Sequence, residues 1–376
     1  MNEQQRFRVV NDLLNDESNF EYKKNLGKKN FLQKILMTTT LIVGINIEAN
    51  NYTNELIEFI AKEKTEFTHN NYNQAAVLNR INKETIPVIM LHKIGMPEDR
   101  YTINQNNFRK ILELIHKKNY HLVSLKEFKE GNFLEVPVGK KPLLLTFDDA
   151  GEGQFYLTHN NIPNPNSAVG IMEEFKTNNP GFSSKAVFFI SYSDDKQNFR
   201  EPFIEKDLSE KKIKYLFENG YDVGWHTPFH TNNINSSKKN IDEQTIILDA
   251  LIFKSLGEKN YNKIIRSFAH PFGAKPKDES VLNYLFSKYD LVFDAWGGNS
   301  FHPLSEKFNK KAINRIETHM NNIESILNNK NNYEVTKEDS IFYDRKFNKN
   351  INIEPRGIDN SNWDYFLNNS KLSGEL

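Results

Sequence analysis

Cysteine is missing from this chain altogether, and that one absence removes a disulfide framework, a thiolate nucleophile and a cysteine-ligated metal together. Any metal ion must then be held by His, Asp or Glu. A surplus of either charge is missing too, since 49 Lys and Arg balance 49 Asp and Glu. No basic field argues for nucleic acid as a partner. Long apolar runs are also scarce: the stretch from Ile35 to Ile47 falls short of the ~20 residues that span a bilayer. What is present is a chain of 376 residues, long enough for one large single-core domain with extensions or for two modest domains.

The chain changes texture along its length. Residues 1–30 are polar and charged, with Lys23, Lys24, Lys28 and Lys29 just ahead of FLQKILMTTTLIVGINIEA. A basic segment, an apolar stretch and Ile47-Glu48-Ala49 as a cleavage site follow the order of an export signal. Residues 1–49 are therefore expected to direct export or to anchor the chain at a membrane, which would place the rest in the periplasm, at the cell surface or outside the cell. A packing helix, diluted by Thr38, Thr39 and Thr40, is the other reading of that stretch. Residues 50–85 read as a polar linker, 86–330 as the folded domain, and 331–376 as a polar C-terminal extension.

Within 86–330, short apolar runs alternate with helical patterns. IPVIML, HLVSL, PLLLTF, KAVFFIS, YDVGWH, IRSFAHP, YDLVFDAW and AINRIE read as strands, several of them continuous apolar runs too short for helices. Between them, NNFRKILELIHKKNY places Phe108, Ile111, Leu112 and Ile115 on one helical face, and SEKKIKYLFENG, EQTIILDALIFKSLG and DESVLNYLFSKY also have helical spacing. Alternating strand and helix implies an α/β fold built on a parallel sheet, open or closed. No internal repeat is evident.

Two constellations carry chemistry. In LLLTFDDAGEG, Asp148 and Asp149 end a buried-strand run, and consecutive strand residues point to opposite faces, so the two carboxylates can take different tasks. An Asp-rich turn accounts for the same letters. In GYDVGWHTPFH, His226 and His230 follow another strand at a spacing of four. One surface and one turn histidine is the bland reading of that pair. Both constellations lie at C-terminal ends of expected parallel strands, where α/β folds place their sites. One Asp with two His makes a typical divalent site with positions left for water and substrate.

TFDDAGEG resembles the first motif of the polysaccharide deacetylases of the NodB-homology type, carbohydrate esterase family 4, and HTPFH is similar to their second. IPVIMLHKIG with the following FRKILELIHKKNYHLVSLKEF resembles the opening segment of the extracellular members acting on poly-N-acetylglucosamine. FAHPFG, FDAW and INRIE fall in the places of the third, fourth and fifth motifs, so the resemblance covers about 86–320. It implies a distorted, incomplete (β/α) barrel and a hydrolase that removes N-acetyl groups from N-acetylglucosamine residues of a polysaccharide. It further implies Asp148 as general base, and Asp149, His226 and His230 as ligands of Zn2+ or another divalent cation such as Co2+ or Ni2+. A catalytically silent carbohydrate-binding protein on the same scaffold is the competing reading.

The departures from the family pattern carry their own expectations. Ala150 stands where the family usually has glycine, so the turn after Asp149 is expected to be shifted or strained. Ala269 stands where many members have arginine, which leaves Arg266 as a displaced candidate for orienting Asp148. The segment QFYLTHNNIPNPNSAVGIMEEFKTNNPGFSS is longer than the usual connection, and loops at strand ends shape substrate access. For the general acid, His319 in NRIETHM occupies the family's place and His302 is its rival. Asp294 is a candidate to orient that acid, and His270, Pro271 and Phe272 are expected to wall the substrate groove. Trp296 and Trp225 are candidates for a sugar platform.

Overall fold

A computed structural model of the chain describes residues 74–192 and 200–347. The export or anchor segment 1–49 lies outside the described residues, as do 50–73 of the expected linker and 348–376 of the extension. Among the described residues no helix is long and apolar enough to cross a membrane.

Eight strands form the main sheet: β1 Val88–Leu91, β2 Tyr120–Leu122, β3 Lys141–Phe147, β4 Val187–Ile190, β5 Asp222–Trp225, β6 Ser267–Ala269, β7 Leu291–Phe293 and β8 Ile316–Glu317. All their pairings are parallel, in the order β7-β6-β5-β4-β3-β1-β8, with β2 on the first half of β3. The two ends of that path approach each other through a single bridge between Phe293 and Ile313. The alternation of strand and helix predicts a parallel sheet, and the sheet is a distorted, incomplete (β/α) barrel, as the family resemblance implies.

Parallel neighbours require crossovers. These include α1 Gln105–Lys117, α2 Leu125–Glu130, α3 Ala168–Asn178, α4 Ser209–Glu218, α5 Lys238–Leu256 and α6 Glu279–Lys288. α3 occupies the middle of the segment read from sequence as a long access loop, so much of that length is an ordinary crossover helix capped by Ser167. Helices on the outside and side chains on the inside bury both strand faces, which is why the strands read as unbroken apolar runs. Ile89, Leu91, Leu143, Leu145, Phe147, Phe188 and Ile190 pack outward in one cluster. Val88, Leu144, Val187, Phe189, Ala269, Leu291 and Phe293 belong to a second. Gly224 of β5 makes room for the latter: a Cβ there would lie 2.5 Å from Phe189 Cδ1.

The packed unit extends past both boundaries drawn from sequence. Val77 and Ile81 are buried ahead of residue 86, and Tyr333, Val335 and Tyr343 after residue 330, all in the second cluster. Tyr343 lies on α7, Lys337–Phe347. Polar composition hid this because a few large side chains at the right spacing suffice to dock a segment.

Candidate metal centre

Because the strands are parallel, their C-terminal ends share one mouth. β3 ends on Asp148 and Asp149, β5 leads to His226 and His230, β6 to His270, β7 to Asp294, and β8 to His319. Asp149 Oδ1 lies 3.3 Å from His226 Nε2 and 3.5 Å from His230 Nε2, and one ligand atom from each residue falls within 4.8 Å of the others.

The three groups fit a divalent ion on two grounds. His226 Nδ1–H donates to the Ala269 carbonyl at 2.9 Å, which leaves the Nε2 lone pair facing Asp149. Buried Asp149 Oδ1 makes no well-formed hydrogen bond among the described residues. With His226 neutral, its Nε2 lone pair and the Asp149 carboxylate oxygen converge on one point. The two spacings from Asp149 also match: two ligands about 2.0–2.1 Å from one tetrahedral ion sit roughly 3.3–3.4 Å apart.

Electrostatics at the centre follow from burial and neighbours. Burial pushes the Asp149 carboxyl up, yet His226, His92 and His230 outweigh it and hold its pKa well below the usual carboxylate range. Burial lowers His226, but Asp148 and Asp149 more than compensate, so its pKa is raised. Protons and a cation compete for this imidazole.

The turn that aims Asp149 is strained. Asp149 has φ 78° and Ala150 φ 46°, left-handed values that non-glycine residues rarely adopt. Thr227 and His230, at φ 57° and 45°, share this feature. The Thr227 hydroxyl accepts a hydrogen bond from Thr231 N–H at 2.7 Å, which fixes the loop carrying His230.

Asp148 is buried and held from both oxygens by Arg315, with Nη1 to Oδ1 at 2.6 Å and Nη2 to Oδ2 at 2.8 Å. Burial raises this carboxyl, but the Arg315 guanidinium and then His226 lower it further, so it lies below its ordinary value. Arg315 itself is fully buried, reaches the Asp294 carbonyl through Nε, and lies over the Phe189 ring. The arginine of INRIE is not marked out by the motif itself. The available signal was a charged residue between the two isoleucines of a short strand candidate, because a buried guanidinium requires a carboxylate partner.

Several sequence candidates are placed elsewhere. Arg266 pairs with Asp249 at 3.0 Å and stacks on Trp225, so it does not orient Asp148. Trp225 is buried on the outer face of β5 with Nε1–H bonded to Asp249, which removes it as a sugar platform. His302 is buried in the second cluster beside Tyr343, Phe133 and Tyr333, not at the mouth. Asp294 pairs with Lys275 at 2.7 Å, and the carboxylate next to His319 is instead Glu317, at 3.3 Å.

Glu317 joins the rim of the mouth. Arg100 grips it through Nε and Nη2 at 2.9 and 3.0 Å, and exposed Trp296 donates to it through Nε1 at 3.4 Å. The Arg100 contact lowers the Glu317 pKa to about 2. Phe272 is 57% exposed and its ring lies 4.2 Å from that of His230, so an apolar face borders the ion site. Pro271 and His270 are buried beside it, and neither His270 ring nitrogen makes a well-formed hydrogen bond among the described residues. Burial and then Lys275 push the His270 pKa down to about 3, which keeps this ring neutral.

No family model matches the sequence, and no curated protein matches it. Among solved structures, the chain is similar to the deacetylase PplD of Streptococcus pyogenes, with 18% identity, 65% of this chain and 98% of the other covered, and a TM-score of 0.47. It is also similar to a polysaccharide deacetylase of Bacillus cereus, with 18% identity, 65% and 69% covered, and a TM-score of 0.48. A third likeness is to IcaB of Ammonifex degensii, with 17% identity, 65% and 96% covered, and a TM-score of 0.45.

Proposed function

We propose that the protein is a metal-dependent hydrolase that removes acetyl groups from N-acetylglucosamine residues of a polysaccharide. The observation that carries this reading is the convergence of Asp149, His226 and His230 beside an Asp148 that Arg315 holds in place. Asp149, His226 and His230 would hold the ion, Zn2+ being suited to two imidazoles and one carboxylate, with Co2+ or Ni2+ as substitutes. A divalent ion bound there supplies Lewis-acid polarisation of the amide carbonyl and lowers the pKa of a water.

Asp148 accepts the proton of the attacking water. Clamped by Arg315, it is a weak base on its own, so it orients and relays instead of driving the proton transfer alone. Backbone N–H groups of the left-handed turn after Asp149 face the developing oxyanion. His319, steadied by Glu317, protonates the departing amine. His270, Pro271 and Phe272 wall the groove. Trp296 offers a sugar ring a flat apolar face fixed through its Nε1 bond to Glu317.

The segment 1–49 is assigned to export or anchoring, consistent with a polymer substrate outside the cytoplasm. The test combines elemental analysis with acetate release from N-acetylglucosamine oligomers. One equivalent of divalent ion and metal-dependent acetate release are expected. A chain that releases no acetate, with or without a bound ion, would favour the carbohydrate-binding scaffold, and a chain that binds no ion would end the metal-dependent reading.

A further inference from the structure

Lys212 is a lysine with no exposed side-chain surface, placed in the first turn of α4. Its ammonium bonds Glu205 Oε2 at 2.6 Å and donates to the Phe203 carbonyl at 3.0 Å. The rings of Tyr156, Phe203 and Phe155 surround it at 5.7, 5.8 and 6.0 Å. Burying an ammonium is costly unless it is paired and bonded. Here one Nζ joins three segments, because Glu205 Oε2 also accepts Leu157 N–H at 3.0 Å.

The segment so fixed presses on the metal turn. Phe203 N–H donates to the Ala150 carbonyl at 2.7 Å. Arg200 reaches the Ala150 carbonyl at 3.1 Å and the Asp149 carbonyl at 3.3 Å. Both ends of this contact are left-handed: Asp149 and Ala150 on one side, Phe203 and Ile204 on the other, with φ 78°, 46°, 61° and 68°. Such a backbone persists only where its surroundings over-determine it, and the Lys212 clamp braces the 200–205 side together with the Ser209 hydroxyl, which donates to the Pro202 carbonyl at 3.2 Å.

We propose that Lys212 is a positioning residue for the metal centre, its buried ammonium locking 203–205 in the shape that holds the Asp149–Ala150 turn and so aims the Asp149 carboxylate. The proposal rests on the reading of Asp149 as a ligand. Its effect passes through Glu205 and Phe203 to Ala150, with no contact to the ion or the substrate.

The test uses the full chain as parent, Lys212→Met and Glu205→Gln. Each is titrated with Zn2+ against a competing chelator, and its Co2+-loaded form is examined by visible absorption. Zn2+ affinity should fall by about 10-fold or more, the usual cost of losing an outer support of a ligand, and the Co2+ bands should shift as the carboxylate turns. A clamp that is merely structural would lower the melting temperature while leaving affinity and bands as in the parent, and that result overturns the proposal. Should Lys212→Met fail to fold, Glu205→Gln, which keeps the shape and removes the charge, decides the matter alone. A parent that binds no Zn2+ refutes the metal reading itself, a failure distinct from a parent that binds and variants that match it.

Discussion

His226 and His302 are both buried histidines, yet one reads as chemistry and the other as architecture. His302 spends both ring nitrogens on the protein: Nδ1 accepts Leu304 N–H at 3.1 Å and Nε2 bonds the Tyr343 hydroxyl at 2.9 Å. That hydroxyl meets Tyr333 at 2.8 Å, closing an aromatic cluster around the docked segments at 77–86 and 331–343. His226 spends one nitrogen on Ala269 and turns the other toward Asp149. Burial alone therefore says little about function. A lone pair aimed at other lone pairs is the informative feature, because a protein has no structural reason to bury it so.

The comparison is broken most sharply at the opening aspartate pair. Asp148→Asn keeps the shape beside intact ligands but cannot take up a proton, so acetate release should fall by roughly 10²–10⁴-fold with ion content unchanged. Asp149→Asn should instead lose the ion, because an amide oxygen is the poorer ligand, and excess Zn2+ or Co2+ should partly restore it. Rescue of Asp148→Asn by excess metal, with none for Asp149→Asn, would swap the two roles. Normal deacetylation by both would reduce the pair to a turn.

A second break concerns stability at the mouth. Arg315→Met strands Asp148 as an uncompensated buried charge, so unfolding by denaturant should show a loss of about 3–5 kcal/mol. Adding Asp148→Asn should return part of it, since the orphaned charge is gone. At the other cluster Arg80→Met should cost less, because Arg80 is 28% exposed and Asp339 keeps its bonds to Thr336. A loss below ~1 kcal/mol in Arg315→Met would mean that Asp148 is not charged in the fold.

The parallel sheet was legible in the sequence because its buried runs are continuous and the helices between them amphipathic, two patterns that local reading detects, while its closure into an incomplete barrel came only with the motif resemblance. The candidate metal-binding residues were brought to notice by their places next to strand ends. Arg315 was not, since its partner Asp148 is 167 positions away and no local pattern links the two. The same blindness set Arg266 near the base and left His302 as a rival acid. Position in sequence could not say which end of the barrel each residue meets. Tyr333 and Tyr343 were missed for another reason: scattered aromatics in a polar tail give no period, yet they dock it.

The smallest expected effect separates the two histidines by pH. Burial and then Arg80 push the His302 pKa down to about 3, from about 6.5 in an unfolded chain. Below 6.5 the unfolded chain takes up a proton that folded His302 refuses, since protonating Nδ1 would break its bond from Leu304. Its contribution is therefore fully present above pH 6.5 and is lost as pH falls toward 3, with a slope approaching 1.4 kcal/mol per pH unit, about one proton. His226 has the opposite sign in the ion-free chain: its raised pKa adds stability below the unfolded value that fades as pH rises through the folded one. His302→Asn should remove about one proton's slope from the pH dependence of unfolding between pH 6 and pH 5 and leave Zn2+ affinity unchanged, whereas His226→Asn should abolish Zn2+ binding. An unchanged slope in His302→Asn would show that this ring titrates normally in the fold, and the contrast between a satisfied histidine and an aimed one would lose its energetic basis.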